Sequence, residues 1–312
     1  MQQFISLVLE SGRSGLDMIL YILLPIMVVM LAFMKLLEAK GILSYVANKI
    51  APVSQLFGVP GLGVFAMIKL LFVSFAAPVA SLLLMEKGAT SRRYIASTLA
   101  MLMAMSQANA SFPLSTVGLD LGFALFSSLL SGLCAAAFTY YVLCRHFPAD
   151  DGHQLADNPL PVEGNKQSVI QLLIDGGQEG VKITIKMIPV LILAILLVNV
   201  LEAIGAIQLL SAALAPALRL LDLPEAAVLA IFTKFIAGGT AFTGVTIDLI
   251  NQGLLSAQDL NRIAGFVLNP LDFVAIAVFA TVGKRLASVL HYAIYGALFG
   301  LCLRGILHLL VF

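Results

Sequence analysis

Two apolar segments of the sequence are interrupted by polar residues that could bind an ion or a small polar solute. The first interruption reads SQANASFP at 106–113, and the second reads NPLD at 269–272. A proline removes a backbone donor and frees a carbonyl one turn earlier. Freed carbonyls and side-chain oxygens suit a cation or a hydrogen-bonding solute. A polar kink that neighbouring helices stabilise is the alternative. The residues that we expect to bind there are Gln107, Asn109, Ser111, Asn269 and Asp272.

A stretch of small residues precedes each of these interruptions. It reads SFAAPVAS at 74–81 in the first case and AGGTAFTG at 237–244 in the second. Each stretch lies near the middle of a long apolar segment and predicts a break in its helix. Non-helical backbone survives at membrane depth only where protein or a water-filled cavity satisfies it. The candidate substrate-binding or ion-binding residues at these tips are Ser74, Gly238, Gly239, Thr240 and Thr243.

A lysine lies within each apolar segment, a few residues before the small-residue tip. Placing the charged side chain of Lys69 or Lys234 in a bilayer costs free energy, so each needs a partner or water. The repeat-matched acidic candidates are Glu38 and Glu202, which end the first long helix of each half. The pairs therefore predict structural salt bridges. A substrate path that attracts anions and lysines that snorkel to the interface are the two alternatives.

The composition requires a bilayer as the solvent. The chain has 312 residues, of which 60% are hydrophobic and 11% charged, whereas soluble domains carry about 25% charged residues. The net charge of +1 gives no case for nucleic acid as a partner. Three cysteines form no metal or redox motif, and we expect no cofactor other than Na⁺ or H⁺ as a coupling ion. We expect a multi-pass protein of a bacterial-type inner membrane.

The sequence repeats itself across a polar linker. The domains that we predict are a first repeat at 1–144, a linker at 145–167 and a second repeat at 168–312. A shift of 164 or 165 positions aligns rare residues in order. The aligned pairs are Pro25 with Pro189, Glu38 with Glu202, Gly41 with Gly205, Lys69 with Lys234, and Gln107 with Asp272.

The distribution of basic residues favours an inverted arrangement of the two repeats. If 61–88 and 224–253 are re-entrant hairpins, 12 of the 18 Lys and Arg residues fall on one side of the membrane. The other side holds Arg13, Arg219, Arg262 and Arg304. The positive-inside rule then places both termini outside the cytoplasm and the linker 145–167 inside it. The predicted fold is all-α and integral to the membrane. Each of its two inverted repeats has three transmembrane helices, one re-entrant helical hairpin and an interfacial helix (42–57; 206–221).

This order of elements resembles a known family. A lysine before a Gly/Ala/Ser/Pro-rich tip, followed by a polar break in the next helix, is similar to the Gate, or nucleoside-recognition, family. That family includes the spore maturation proteins A and B and resembles the transport core of the concentrative nucleoside transporters. The resemblance implies the inverted fold and an elevator-like alternating access. It also suggests a homo-oligomer.

Three classes of function compete at this point. The first is a secondary transporter for a small polar solute, nucleoside-like or an organic anion, driven by Na⁺ or H⁺. The second is a non-transporting gate or scaffold subunit that works with a partner membrane protein. The third is a membrane enzyme. We expect no enzyme, because the sequence has no metal spacing, no nucleotide loop and no nucleophile–base pair.

Overall fold

In the described part of the chain, the first half contains eight α-helices and the second half contains five. A computed structural model describes residues 2–73, 77–88, 90–147, 168–205 and 221–312, together with Leu209, Ala212, Pro216 and Leu218. In the first half the helices are α1 Gln2–Met18, α2 Leu24–Ala39, α3 Ile42–Gln55, α4 Gly61–Phe72, α5 Val79–Lys87, α6 Arg92–Ala104, α7 Ala108–Ser115 and α8 Leu121–Phe138. In the second half they are α9 Val169–Ala203, α10 Ala226–Asn251, α11 Ala257–Val267, α12 Phe273–Ala280 and α13 Lys284–Val311.

Five helical stretches in the described part of the chain are long and apolar enough to cross a membrane. They are Ile5–Ala39, Leu121–Leu143, Val169–Leu201, Ala226–Asn251 and Lys284–Val311. The first contains α1, α2 and a widened π-helical turn between them, Ile19–Leu23. Pro25 follows this turn directly, and its missing N–H explains why the regular hydrogen-bond ladder is interrupted there. The predicted multi-pass membrane protein is therefore confirmed at this level of detail.

The first predicted hairpin appears as two short helices. α4 and α5 contact each other, and neither approaches the roughly 20 residues that a spanning helix needs. In the second half, α10 is long enough to cross the membrane but leaves helical geometry at Gly238, where φ is 85° and ψ is 179°. Only glycine adopts this conformation readily. The small-residue tip thus lies at a real break, while a re-entrant path for α10 remains a prediction.

The first long helix of each half ends in the same way. Gly41 and Gly205, which the repeat aligns, both have left-handed backbone, with φ of 71° and 74°. Such a glycine ends a helix because it satisfies the last carbonyls without a Cβ clash. After Gly41 the amphipathic α3 begins and packs on α4. Its predicted counterpart at 206–221 lies almost entirely outside the described residues, as does most of the linker at 145–167.

The two halves interlock rather than forming separate bodies. One buried apolar cluster joins α4–α6 of the first half to α12 and α13 of the second. The other joins α10 and α11 to α7 and the start of α8. Polar contacts reinforce both connections. The Glu86 carboxylate accepts hydrogen bonds from the first N–H groups of α13, and the Asn261 amide bonds Gly118 O and Asp120 N at 2.8 Å each.

Helices α2 and α9 form a close pair along their length. Gly176 and Gly180 of α9 face the backbone of α2. A Cβ at Gly176 would lie 2.5 Å from Leu31 O, and one at Gly180 would lie 2.8 Å from Met27 O. Small residues at a helix–helix interface in membranes allow such a close approach of backbones. This pair brings the first long helix of each repeat together.

We predict opposite effects for two neighbouring Gly→Ala substitutions in α9. Gly176→Ala forces a Cβ into the α2 backbone and should lower the free energy of unfolding by about 1–3 kcal/mol. This holds even though alanine favours a helix by up to about 1 kcal/mol. Gly177→Ala is the matched control, because its Cβ would meet only Val28 Cγ1 at 3.5 Å, so it should stabilise the protein. Thermal unfolding in detergent measures both. Equal effects of the two substitutions would contradict the close pairing.

Candidate functional site

The two broken helices meet at their interruptions. The backbone is extended at Met105 and Gln107, between α6 and α7, and again at Asp272 before α12. Gln107 Nε2 donates a hydrogen bond to Asn269 O at 3.2 Å. A Cβ at Gly239 would lie 2.0 Å from Gln107 Nε2, so any other residue there would have to displace the Gln107 amide. The first break, the second break and the break in α10 therefore converge on the Gln107 side chain.

The first break lies earlier than the sequence suggested. The prediction gave 106–113 as interrupted, but Ala108–Ser115 is helical and contains Pro113 within it. The non-helical residues are 105–107. Ser111, one turn into α7, donates its hydroxyl to Gln107 O at 3.1 Å. Gln107 begins α7 without a side-chain cap, so the first N–H groups of this helix keep their hydrogen-bonding capacity.

The second break satisfies its own backbone. Pro270 has no N–H, which leaves Phe266 O without its helical donor. Asn269 Nδ2 donates to that oxygen at 2.7 Å, and Asn269 Oδ1 accepts from Leu271 N at 2.9 Å. Asp272 Oδ1 then caps α12 by accepting from Ala275 N at 2.8 Å. The side chains of Asn269 and Asp272 therefore form hydrogen bonds with the backbone around the NPLD segment itself.

A buried ion pair crosses from α10 to this second break. Lys234 Nζ lies 2.5 Å from Asp272 Oδ2, and the two side chains are 0% and 4% exposed. Removal of either partner would leave an uncompensated charge in the protein interior, which is strongly destabilising. The expected partner of Lys234 was Glu202, whose side chain lies outside the described residues. The partner that the structure gives is Asp272, because it begins α12 directly opposite the buried face of α10.

The first half pairs its lysine differently. Lys69 Nζ lies 2.8 Å from Glu38 Oε1, the partner that the sequence suggested. This pair is partly exposed, at 16% and 39%, and the ammonium group also lies 4.6 Å from the Phe65 ring centroid. In the repeat alignment, Gln107 occupies the position of Asp272. Because Gln107 carries no charge, the first break offers Lys69 no acidic partner.

Arg304 joins the two breaks from α13. Its side chain is fully buried, with 0% exposure, whereas the count of basic residues treats it as a charge on the extracytoplasmic side. Its guanidinium donates to Leu268 O at 2.7 Å and to Ser106 Oγ at 2.5 Å, and it approaches Ala104 O at 3.5 Å. These atoms lie just beyond or at the C-terminal ends of α11 and α6. Helix C-termini carry about −0.5 elementary charge each, so one arginine offsets both.

Asn109 is a buried amide without a partner. It is 1% exposed, and neither Oδ1 nor Nδ2 forms a hydrogen bond within the part of the chain that the structure describes. The hydroxyl of Thr246 on α10, which packs on α7, is also buried and unpaired there. Leaving such groups unpaired costs about 1–3 kcal/mol each. An arrangement of this kind is expected where a ligand supplies the missing hydrogen bonds.

The remaining predicted residues lie around the break in α10. Thr243 is buried and donates its hydroxyl to Gly239 O at 2.9 Å, while Thr240 is half-buried. Gly238 carries the non-helical backbone itself. Ser74, at the tip of the first hairpin, lies outside the described residues. No group of three or more His, Cys, Asp or Glu side chains suited to a metal ion occurs in the described ranges.

Sequence reasoning missed two buried polar residues of α13. Arg304 had the signal that identifies such residues, since an ionisable side chain within an apolar run is functional by default. His308 is also buried, with Ser127 Oγ at 2.8 Å from Nε2 and Asn261 O at 2.6 Å from Nδ1. At the 165-residue shift of the repeat, Arg304 aligns with Thr139 and His308 with Leu143, so neither has an ionisable counterpart in the alignment that drew attention to the other sites.

We predict that Arg304 and Ser106 are energetically coupled. Arg304→Met removes charged hydrogen bonds worth about 1.5–3 kcal/mol each and should lower stability by at least about 3 kcal/mol. Ser106→Ala should cost less in the Arg304→Met background than in the wild type, with a coupling energy of about 1–3 kcal/mol. Chemical unfolding of the four proteins gives this cycle. Arg92→Met at an exposed position is the control and should change stability by less than about 0.5 kcal/mol. Strict additivity would contradict the bridge.

Comparisons with known proteins agree with this architecture. Residues 184–289, from α9 to the start of α13, match the family model described as Gate, nucleoside recognition. The resemblance to the Gate family inferred from the sequence is thereby confirmed. No curated protein matches the chain.

The whole chain is also similar in fold to solved structures of CNTnw, a concentrative nucleoside transporter. The structure of CNTnw in an inward-facing substrate-bound state has a TM-score of 0.66 at 14% identity, with 98% of this chain and 83% of that chain covered. A variant in an intermediate state has a TM-score of 0.71 at 14% identity, covering 99% and 84%. A variant in an outward-facing state has a TM-score of 0.70 at 16% identity, covering 98% and 84%. The protein is a multi-pass membrane protein with the fold of CNTnw, and its second half matches the Gate nucleoside-recognition family.

Proposed function

We propose that the protein is a secondary transporter that moves a small polar solute, nucleoside-like or an organic anion, by alternating access of its broken-helix core. Na⁺ or H⁺ is the coupling ion. The observation that carries this proposal is the Asn109 amide, buried and unpaired one turn from the meeting point of the two breaks. A buried amide offers two donors and an acceptor, which suits a solute that has both kinds of group.

The asymmetry of the two half-helices supports a solute site at the start of α7. Asp272 caps α12, whereas α7 begins at Gln107 with no side-chain cap. The uncapped N–H groups and the positive end of the helix dipole attract oxygen atoms of a solute. Transporters with broken helices direct half-helix N-termini at their substrates in this way. Gln107, Asn109 and Ser111 would therefore bind the solute, and Thr240 and Thr243 would line its path.

We further propose an inverted relation of the two repeats. Each then has three spans and one hairpin, with domains at 1–144 and 168–312. The sequence repeat, the short α4–α5 pair and the break at Gly238 support this arrangement. The positive-inside count places the linker 145–167 in the cytoplasm of a cell with a bacterial-type inner membrane. The closely packed pair of α2 and α9 is the part that we propose to be fixed during transport, within a homo-oligomer.

A matched pair of amides tests the solute site. Asn109→Leu removes an amide that has no partner, so stability should stay the same or rise by about 1–2 kcal/mol, while solute binding is lost. Asn261→Leu is the control. Its equally buried amide bonds Gly118 O, Ala257 O and Asp120 N, so its loss should lower stability by about 2–3 kcal/mol.

The measurement is thermal shift of the purified protein against nucleosides, nucleobases and organic acids. A solute that stabilises the wild type but not Asn109→Leu supports transport. Destabilisation by Asn109→Leu, or no response of the wild type to any of the three classes, contradicts the solute site. That result would favour a gate or scaffold subunit, which has no need of a solute.

The topology makes an independent prediction. A periplasmic-type reporter such as alkaline phosphatase should be active when fused after Phe312, and a cytoplasmic reporter should be active when inserted in the linker at 145–167. Both follow from the basic residues on the linker side, which resist translocation. A C-terminal fusion that is active only in the cytoplasm would contradict the inverted arrangement, while leaving the solute site untouched.

A further inference from the structure

We propose that the core binds its solute without a metal cation, because Lys234 and Arg304 occupy the places where a coupling cation would bind. This inference rests on the proposed transport function and narrows its coupling ion. In transporters with broken helices, unwound carbonyls and half-helix C-termini coordinate the coupling ion. Here the corresponding atoms already contact two cationic side chains.

The carboxylate and amide oxygens of the second break, and the carbonyl oxygens of Leu268 and Asn269, are engaged by donors. Asp272 Oδ2 contacts Lys234 Nζ at 2.5 Å, and Asp272 Oδ1 caps Ala275 N at 2.8 Å. Leu268 O accepts from Arg304 at 2.7 Å. Asn269 O and Oδ1 accept from Gln107 and Leu271 at 3.2 Å and 2.9 Å. A metal ion that binds Asp272 would have to displace the Lys234 ammonium or the helix cap on Ala275 N.

The charges at the two breaks already balance. Lys234 and Asp272 neutralise each other as an ion pair. Arg304 has no carboxylate partner within the described residues, but it lies at the C-terminal ends of α6 and α11. Two helix C-termini supply about −0.5 elementary charge each, which together offset one guanidinium. An additional cation in this buried region would have no compensating charge.

The first break offers a metal ion no anionic ligand. Its residues, 105–107, read Met-Ser-Gln and include no carboxylate. Ser106 Oγ accepts from Arg304, and Ser106 N donates to Ser128 Oγ at 2.7 Å. The unpaired oxygen nearby in the chain, Asn109 Oδ1, is neutral and lies beside the unpaired Nδ2 donor of the same amide. These groups fit a neutral or anionic solute rather than a metal ion.

The test uses Na⁺ alone as the probe, so it does not depend on knowing the solute. The unfolding temperature of the purified full-length protein is measured in NaCl and in choline chloride at equal ionic strength. The wild type should unfold at the same temperature in both salts. Lys234→Met frees the Asp272 carboxylate, so its unfolding temperature should rise with NaCl but not with choline chloride. Lys234→Met/Asp272→Asn has no free carboxylate and should lose this response.

Several outcomes would overturn the inference. Stabilisation of the wild type by NaCl above choline chloride would show a native Na⁺ site. A folded Lys234→Met protein that does not respond to NaCl would show that the ammonium does not stand in for a cation. If Lys234→Met does not fold, Lys234→Arg serves in its place: it keeps a tethered cation and should be as indifferent to NaCl as the wild type. Because no solute is added, failure here is distinguishable from failure of the transport proposal.

Discussion

The bridge that Arg304 makes between the ends of two half-helices is the interaction on which the centre of this protein depends. Each broken helix exposes backbone carbonyls at a depth where no water is available to satisfy them. One guanidinium has five donors and remains charged when buried. It can therefore serve Leu268 O, Ser106 Oγ and Ala104 O together. Without a cation there, the negative ends of α6 and α11 would face each other unscreened.

The two breaks that the repeat alignment matches differ in their chemistry. Gln107 and Asp272 occupy equivalent positions, yet one is a neutral amide and the other a carboxylate. The carboxylate caps its helix and pairs with Lys234 within the core, whereas Lys69 turns to the half-exposed Glu38 at the end of α2. The charged break is thereby closed by protein atoms. The neutral break keeps an uncapped helix and an unpaired Asn109.

The sequence predicted the parts of the site that local rules determine. Pro270 interrupts its helix, and Gly238 and Gly239 allow a backbone that other residues resist. The second break and the break in α10 were therefore predicted near their observed positions. The first break was placed too late because Pro113 was assigned the interruption. Pro113 instead lies within the short α7, whose first turn begins five residues earlier. Proline inside a membrane helix is tolerated where neighbouring groups satisfy the freed carbonyl.

Contacts between distant parts of the chain were beyond such rules. Nothing local relates Arg304 to Ser106, almost two hundred residues away. The positive-inside count used Arg304 as a marker of membrane topology. A charged residue within an apolar run can equally be buried inside the protein. The pairing of Lys234 with Asp272 likewise depends on how α10 packs on α12. The repeat alignment suggested equivalent partners for the two lysines, but Lys69 pairs with Glu38 and Lys234 pairs with Asp272.

This loss of symmetry has a consequence for how the core can work. A transporter needs a binding site that is incomplete without its solute, because a site that protein atoms satisfy fully gains little from a ligand. In the second break, the Asp272 carboxylate, the Asn269 amide oxygen and the carbonyl oxygens of Leu268 and Asn269 are bonded. The first break is held in position by Gln107 and Arg304 but leaves Asn109 unpaired. Under the proposed transport function, the closed break would be the rigid support against which the open break binds and releases its solute.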